Sequence, residues 1–123
     1  MATIKGYDFT LVGDPVRVRA TVHEALEVRK YRLTWQDEWT ATAERGSKVA
    51  NAVAGAIAQY FKVGVAIRSS TDGNSIMRVE RQSSGWMGGS IGVSRTTKNL
   101  VTLREGLDAA FSAAGVLIAT TPF

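Results

Sequence analysis

The chain has 123 residues, 45% of them hydrophobic and 21% charged, and its 15 lysines and arginines outnumber its 11 aspartates and glutamates to give a net charge of +4. This size and composition fit one globular domain. Because the chain contains no cysteine, disulfides, thiolate metal sites and cysteine nucleophiles are excluded, and one histidine leaves little for a zinc site or a histidine relay. No metal or other cofactor is expected.

The first third of the chain predicts a strand, a helix and a hairpin. Apolar and polar residues alternate over 7–11, which is typical of a half-buried strand. An Asp-Pro pair then begins a helix over about 15–30, since aspartate caps free amides and proline suits the first helical position. Two more alternating stretches, 33–36 and 39–44, favour strands joined by a tight turn. One long bent strand with a bulge is the alternative.

The middle of the chain predicts a helix that is nearly free of charge. Apolar residues recur at helical spacing over 47–60, and Ala50, Ala54 and Ala58 form a second stripe of small residues. Lys48 is the only charged residue in this stretch. An ordinary surface helix is charged on its outer side, so this helix is expected to be buried on two sides or to contact a partner.

The second half of the chain predicts another hairpin, a loop and a final helix. Two alternating segments, 62–69 and 75–82, flank an Asp-Gly turn. The following stretch, 83–94, is rich in glycine yet apolar and is interpreted as a loop. A strong helical stripe comes next, for which Thr96 or Thr97 supplies the cap.

The order of these elements is β-α-β-β-(α)-β-β-α. Because each strand has one apolar face, the economical arrangement is a two-layer α+β sandwich, with a mostly antiparallel sheet and helices packed on one face. The order is similar, in topology alone, to TATA-box-binding-like and helix-grip domains, a likeness that implies no functional residue. We expect a single domain over 1–119 and a short tail at 120–123.

The hairpin places two unusual segments at the same end of the sheet. If 62–69 pairs with 75–82, the turn lies at one end, and the charge-poor helix and glycine-rich loop attach at the other. The sequence therefore predicts an interaction surface built from 47–62 and 83–98. Its apolar or small members are Ala50, Ala54, Tyr60, Trp86, Met87 and Ile91. Its polar rim or anion contacts are Arg81, Arg95 and Lys98.

The expected function is binding, and two partners are considered. Apolar residues on this surface favour a second copy of the chain or another protein, because leaving them in water costs about 25 cal/mol per Å². The alternative is an anionic ligand or nucleic acid, since the span 45–104 contains nine basic and two acidic residues, a net charge of +7. This alternative is the less favoured of the two.

Catalysis and membrane insertion find less support in the sequence. No catalytic residue is predicted: His23 stands beside carboxylates on a helix, which indicates a surface pair rather than a catalytic relay. Whether the chain is an enzyme stays open, with binding favoured. The longest apolar stretch, 49–61, is too short to span a bilayer, and no secretory signal is recognised at the start. A cytoplasmic protein is the expectation.

Overall fold

The computed structural model describes residues 4–46, 61–82 and 89–123, and for 89–97 it describes the backbone alone. Within these ranges the chain forms strands and helices in the order β-α-β-β-β-β-α-β. The strands are β1 (Gly6–Leu11), β2 (Arg32–Trp35), β3 (Thr40–Arg45), β4 (Phe61–Ser69), β5 (Ser75–Arg81) and β6 (Leu117–Pro122). The helices are α1 (Pro15–Val28) and α2 (Gly89–Ala113).

The described strands form one antiparallel sheet in the order β2-β3-β4-β5-β1-β6. Both predicted hairpins, β2–β3 and β4–β5, are present in it. Alternate residues of β1, β3, β4 and β5 are buried beneath α1 and α2, and the described residues of the opposite face, called here the open face, are mostly polar. The predicted α+β sandwich is therefore confirmed.

The core lies between the sheet and the two helices. Phe9 of β1 is fully buried and meets Phe111 of α2 edge to face, with ring centroids 5.7 Å apart. On α1, Val18, Val22 and Leu26 recur at helical spacing and are buried. The two helices and β1 thus bury the apolar residues that their sequences place on one face, which contributes about 25 cal/mol per Å² of apolar surface.

The final helix differs from its prediction at the start and agrees at the end. α2 begins at Gly89, so the six residues 89–94, interpreted as loop from their glycines, are helical. A glycine inside a helix costs about 1 kcal/mol relative to alanine. Because extending an existing helix is more favourable than starting a new one, a helix can include such residues. At the other end Gly115 has a φ of 74°, as expected for a left-handed helix terminus.

The C-terminal residues form a strand, whereas a short tail at 120–123 was predicted from the sequence. β6 pairs with β1, and a bulge interrupts the register between Thr10 and Leu11. The Phe123 N–H donates to the Gly6 carbonyl at 3.0 Å. Along such a ladder the backbone N–H and C=O groups of successive residues point alternately toward the partner strand and away from it. The backbone of Pro122 therefore points to the free edge of the sheet, where its missing N–H cannot bind another strand.

Some sequence predictions fall outside the described residues. The helix expected over 47–60 is one of them, and residues 83–88 of the expected loop are another. Neither helix that the structure describes combines the length and the apolar character that crossing a membrane requires.

Candidate functional site

The strands define two opposite ends of the sheet. At the rim end, β1, β2 and β4 begin and β3 and β5 finish; at the turn end lie the two hairpin turns and the start of α1. At the rim end Arg45 pairs with Phe61, and the Gln82 N–H donates to the Lys62 carbonyl at 3.3 Å. The described residues that flank 47–60 and 83–88 therefore meet there, which confirms the predicted attachment of both segments to one end.

A row of cations runs along the rim end. Each of five neighbouring strands carries one at or beside its terminal residue, and we call the set the basic row. Its members in sheet order are Arg32, Arg45, Lys62, Arg81 and Lys5. Adjacent strands lie about 4.8 Å apart, so the row is about 19 Å long. The described ends of these strands also carry two acids, Glu44 beside Arg45 and Glu80 beside Arg81, so their net charge is +3.

The basic row straddles both faces of the sheet. Arg45 and Arg81 align with Phe61 and Val63, whose side chains are buried on the helix side, whereas Lys62 between those two lies on the open face. Lys5, Arg32 and Arg45 are exposed, and the other two members are partly exposed. Cations on both sides of an edge present charge to a partner that approaches the edge itself.

Two arginines of the row are held by nearby groups. The Arg32 guanidinium donates a hydrogen bond to the Gly46 carbonyl. Arg45 lies beside Tyr31, whose pKa is raised by burial while the arginine opposes the rise. Tyr31 also packs edge to face on Phe61, with ring centroids 6.5 Å apart. The strand ends are thus tied to the core while their charges remain at the surface.

The turn end carries the opposite charge. Its turn residues and the end of β4, which together comprise 12–14, 36–39 and 68–74, contain four acids and one arginine, a net charge of −3. The Asp37 carboxylate accepts the Trp39 N–H at 2.8 Å, and this bond holds the pKa of Asp37 below its usual range. Acids at this end therefore serve the turns.

The open face contains a trough that adjoins the basic row. It has a volume of about 340 Å³, and its lining includes Gln36, Thr40, Gly64, Ala66, Glu80 and Gln82. Gly64 and Ala66 lie on β4, which forms the floor, and the longer side chains of β5 form one wall. Gln82 pairs with Lys62 of the row, so the trough extends to the rim end of β4 and β5.

Arg78 is a fixed part of the trough wall. Its Nε and Nη2 donate to the two Asp8 carboxylate oxygens at 2.8 and 2.9 Å, and the Phe123 ring lies 4.1 Å from its guanidinium carbon. The hydrogen bonds from Arg78 lower the pKa of Asp8. A bidentate pair of this kind fixes the side chains geometrically.

The structure places only some of the predicted site residues. Five of them lie outside the described residues: Ala50, Ala54, Tyr60, Trp86 and Met87. Ile91 and Arg95 lie on the first turns of α2, where the backbone alone is described, and Lys98 follows them with an exposed side chain. Arg81 is a member of the basic row. The predicted apolar surface therefore stays a prediction.

The basic span 45–104 does not form one surface. Arg104 is bound to Asp108 at 2.9 Å, Arg78 is bound to Asp8, and Arg68 lies at the turn end. Lys5 and Arg32 belong to the basic row although they lie outside this span. Sequence reasoning missed them because only the strand order brings them beside Lys62 and its neighbours.

His23 makes the surface contact that its sequence context indicates. Its Nε2 lies 3.4 Å from a Glu27 carboxylate oxygen, and its Nδ1 accepts the Trp35 indole N–H at 3.2 Å. The chain matches no protein-family model, and no curated protein matches it in sequence.

Proposed function

We propose that the protein is a binding domain that recognises a linear polyanion, of which the nucleic-acid backbone is the model case, through its basic row. The observation that carries the proposal is the placement of one cation on each of five neighbouring strands at the rim end. Regularly spaced cations along an edge of about 19 Å suit a chain of regularly spaced phosphates.

Beyond Glu44 and Glu80 at the strand ends, the flanking sequence adds no opposing charge next to the row. The stretches 46–71 and 81–104, which include the segments attached at the rim end, contain no aspartate or glutamate. Acids at the turn end are separated from the row by most of the sheet. At physiological salt the Debye length is about 8 Å, so a partner at the rim end experiences mainly the positive charge.

The proposal is tested by removing two charges at each end of the sheet in turn. The first variant carries Lys5→Gln and Lys62→Gln, and its matched control carries Arg17→Gln and Arg68→Gln, which change the net charge equally away from the rim. Binding of a labelled single-stranded oligonucleotide is followed by fluorescence anisotropy between about 50 and 200 mM salt. Circular dichroism checks that both variants are folded.

Each phosphate contact releases counterions, so its loss lowers both the affinity and the salt dependence. We expect the rim variant to bind several-fold more weakly and its slope of log K against log salt to fall by about one to two. The control should keep the wild-type slope. Equal losses in both variants, or no binding of the wild type at low salt, would contradict the proposal.

Self-association at the rim end is the second candidate function. It is favoured by the sequences of the two segments attached there, since 47–60 contains one charged residue and 83–88 contains none. Symmetric pairing of two rims would bring two basic rows together, so dimers should be more stable at high salt. Light scattering over the same salt range tests this candidate, and a constant monomeric mass would remove it.

A further inference from the structure

We propose that the trough on the open face takes an unpaired nucleobase of a single strand whose phosphates lie along the basic row. This inference rests on the proposed function and specifies its partner. It predicts that the protein prefers single-stranded to double-stranded nucleic acid, and it assigns the base contact to the open face.

The trough and the row are one nucleotide apart. Lys62 and Gly64 lie two residues apart on β4 and point to the same face, so their positions differ by about 6.6 Å. Gln82 lies beside Lys62 and also lines the trough. A phosphate bound at Lys62 can therefore direct its base into the trough, alongside the Gln82 side chain that lies over Gly64.

The floor of the trough suits a flat ring. Gly64 and Ala66 are consecutive open-face residues of β4, and neither has a side chain beyond Cβ. A Cβ at position 64 would lie 2.7 Å from Gln82 Nε2, so the Gln82 side chain already lies over Gly64. A planar base can lie over the exposed Ala66, beside the Gln82 amide.

The walls of the trough carry groups that match base edges. Amide and hydroxyl groups of Gln36, Thr40 and Gln82 can donate and accept hydrogen bonds. Glu80 pairs with Gly6 on one side and Gly64 on the other, and its exposed carboxylate lies close enough to Arg78 for the two charges to interact. A carboxylate accepts hydrogen bonds from the amino group of cytosine, so cytosine should be preferred to thymine, which lacks one.

A duplex does not meet these requirements. Its bases are paired and stacked, and turning one out costs a few kcal/mol. The row alone can still bind duplex phosphates, but the trough would then stay unused. The difference between single-stranded and duplex affinity therefore reports on the trough, whereas heparin, which has charge and no bases, reports on the row.

The test uses two alanines exposed on the open face. Ala66→Leu fills the floor of the trough, and Ala119→Leu makes the same change on β6, outside it. We expect Ala66→Leu to weaken oligo-dC binding about tenfold, because one base contact is lost, and to leave heparin binding within about twofold of wild type. Ala119→Leu should change neither. Thermal melting confirms that both variants are folded.

A second variant keeps the test open if Ala66→Leu does not fold. Glu80→Ala removes an exposed carboxylate, and the ratio of oligo-dC to oligo-dT affinity cancels its general effect on polyanion binding. We expect the wild-type preference for oligo-dC to disappear in this variant. An unchanged ratio, or wild-type affinity that is equal for single-stranded and duplex probes, would overturn the inference.

The two proposals fail in different ways. If Lys5→Gln with Lys62→Gln weakens heparin and oligonucleotide binding while Ala66→Leu weakens neither, the row binds the polyanion and the trough inference is wrong. If the rim variant weakens neither probe, the proposed function is wrong as well.

Discussion

The two ends of the sheet differ in charge and in the way the chain connects the strands. At the turn end the connections are short and the residues carry a net charge of −3, whereas at the rim end the described strand ends carry +3 and long segments attach. The same strands run between the two ends. The contrast indicates that the turn end closes the fold and leaves the rim end available for a partner, as binding sites on rigid scaffolds do.

Hydrogen bonds of the turn end support this division. Ser75 is completely buried, and its Oγ donates to the Gly13 carbonyl at 2.8 Å. The Asp14 carboxylate caps α1 by accepting the Arg17 N–H at 3.0 Å. Gly73 adopts a φ of 77°, which suits glycine in a tight turn. Loosening this end should therefore cost stability and leave the rim contacts intact.

The largest expected effect comes from Phe111→Ala, which removes the ring packed on Phe9. Both rings are almost completely buried, so the substitution should lower the free energy of unfolding by about 3–5 kcal/mol. Urea denaturation measures the change, with exposed Ser112→Ala as a control expected within about 0.5 kcal/mol. Affinity of the folded variant for heparin should stay near wild type. A parallel loss of affinity would show that the two ends are coupled.

Most of the fold could be predicted from the sequence because the periodicity of apolar residues and the presence of turn-forming residues are local signals. Strands with one buried face alternate, and α1 begins at an Asp-Pro pair that satisfies its first amides. The predicted start of α2 was wrong because the glycines favoured a loop, whereas the helix already begins at Gly89. β6 lacked a local signal strong enough to separate it from a tail, since its pairing with β1 is a long-range contact.

The candidate site was less accessible to sequence reasoning. The attachment of two segments to one end followed from a single hairpin, but the basic row depends on the order of five strands. Lys5 and Arg81 are far apart in sequence, and the hydrogen bond from the Arg81 N–H to the Lys5 carbonyl at 3.0 Å brings their strand ends together. The trough likewise depends on small residues of β4 that look unremarkable in the sequence.

A smaller effect on the free energy of unfolding is expected from Asp8→Asn, which removes the ion pair that fixes Arg78 in the wall of the trough. The pKa of Asp8 is lowered in the folded state. Its ion pair with Arg78 therefore stabilises the fold at a pH above the unfolded pKa of about 3.9. This contribution disappears as the pH falls through the pKa of the folded state. Asp8→Asn should cost about 1 kcal/mol at neutral pH. Urea unfolding near neutrality and in strong acid measures this, and the difference from wild type should vanish in acid. A cost that does not depend on pH would contradict the assignment.

The smallest expected effect compares one acid at each end. Glu38 follows β2 in the turn beside Ile67, which lies five residues from Lys62 along β4, so Glu38 is about 17 Å or more from that part of the row. Glu44 pairs with Arg32 and lies within the row. At physiological salt the Debye length of about 8 Å screens the distant charge. Glu44→Gln should therefore tighten heparin binding about twofold, while Glu38→Gln leaves it unchanged. At low salt the Debye length rises to about 30 Å, so the heparin affinities of the two variants should become similar. Equal effects of both at physiological salt would mean that the partner contacts the turn end too, and the division between the two ends would fail.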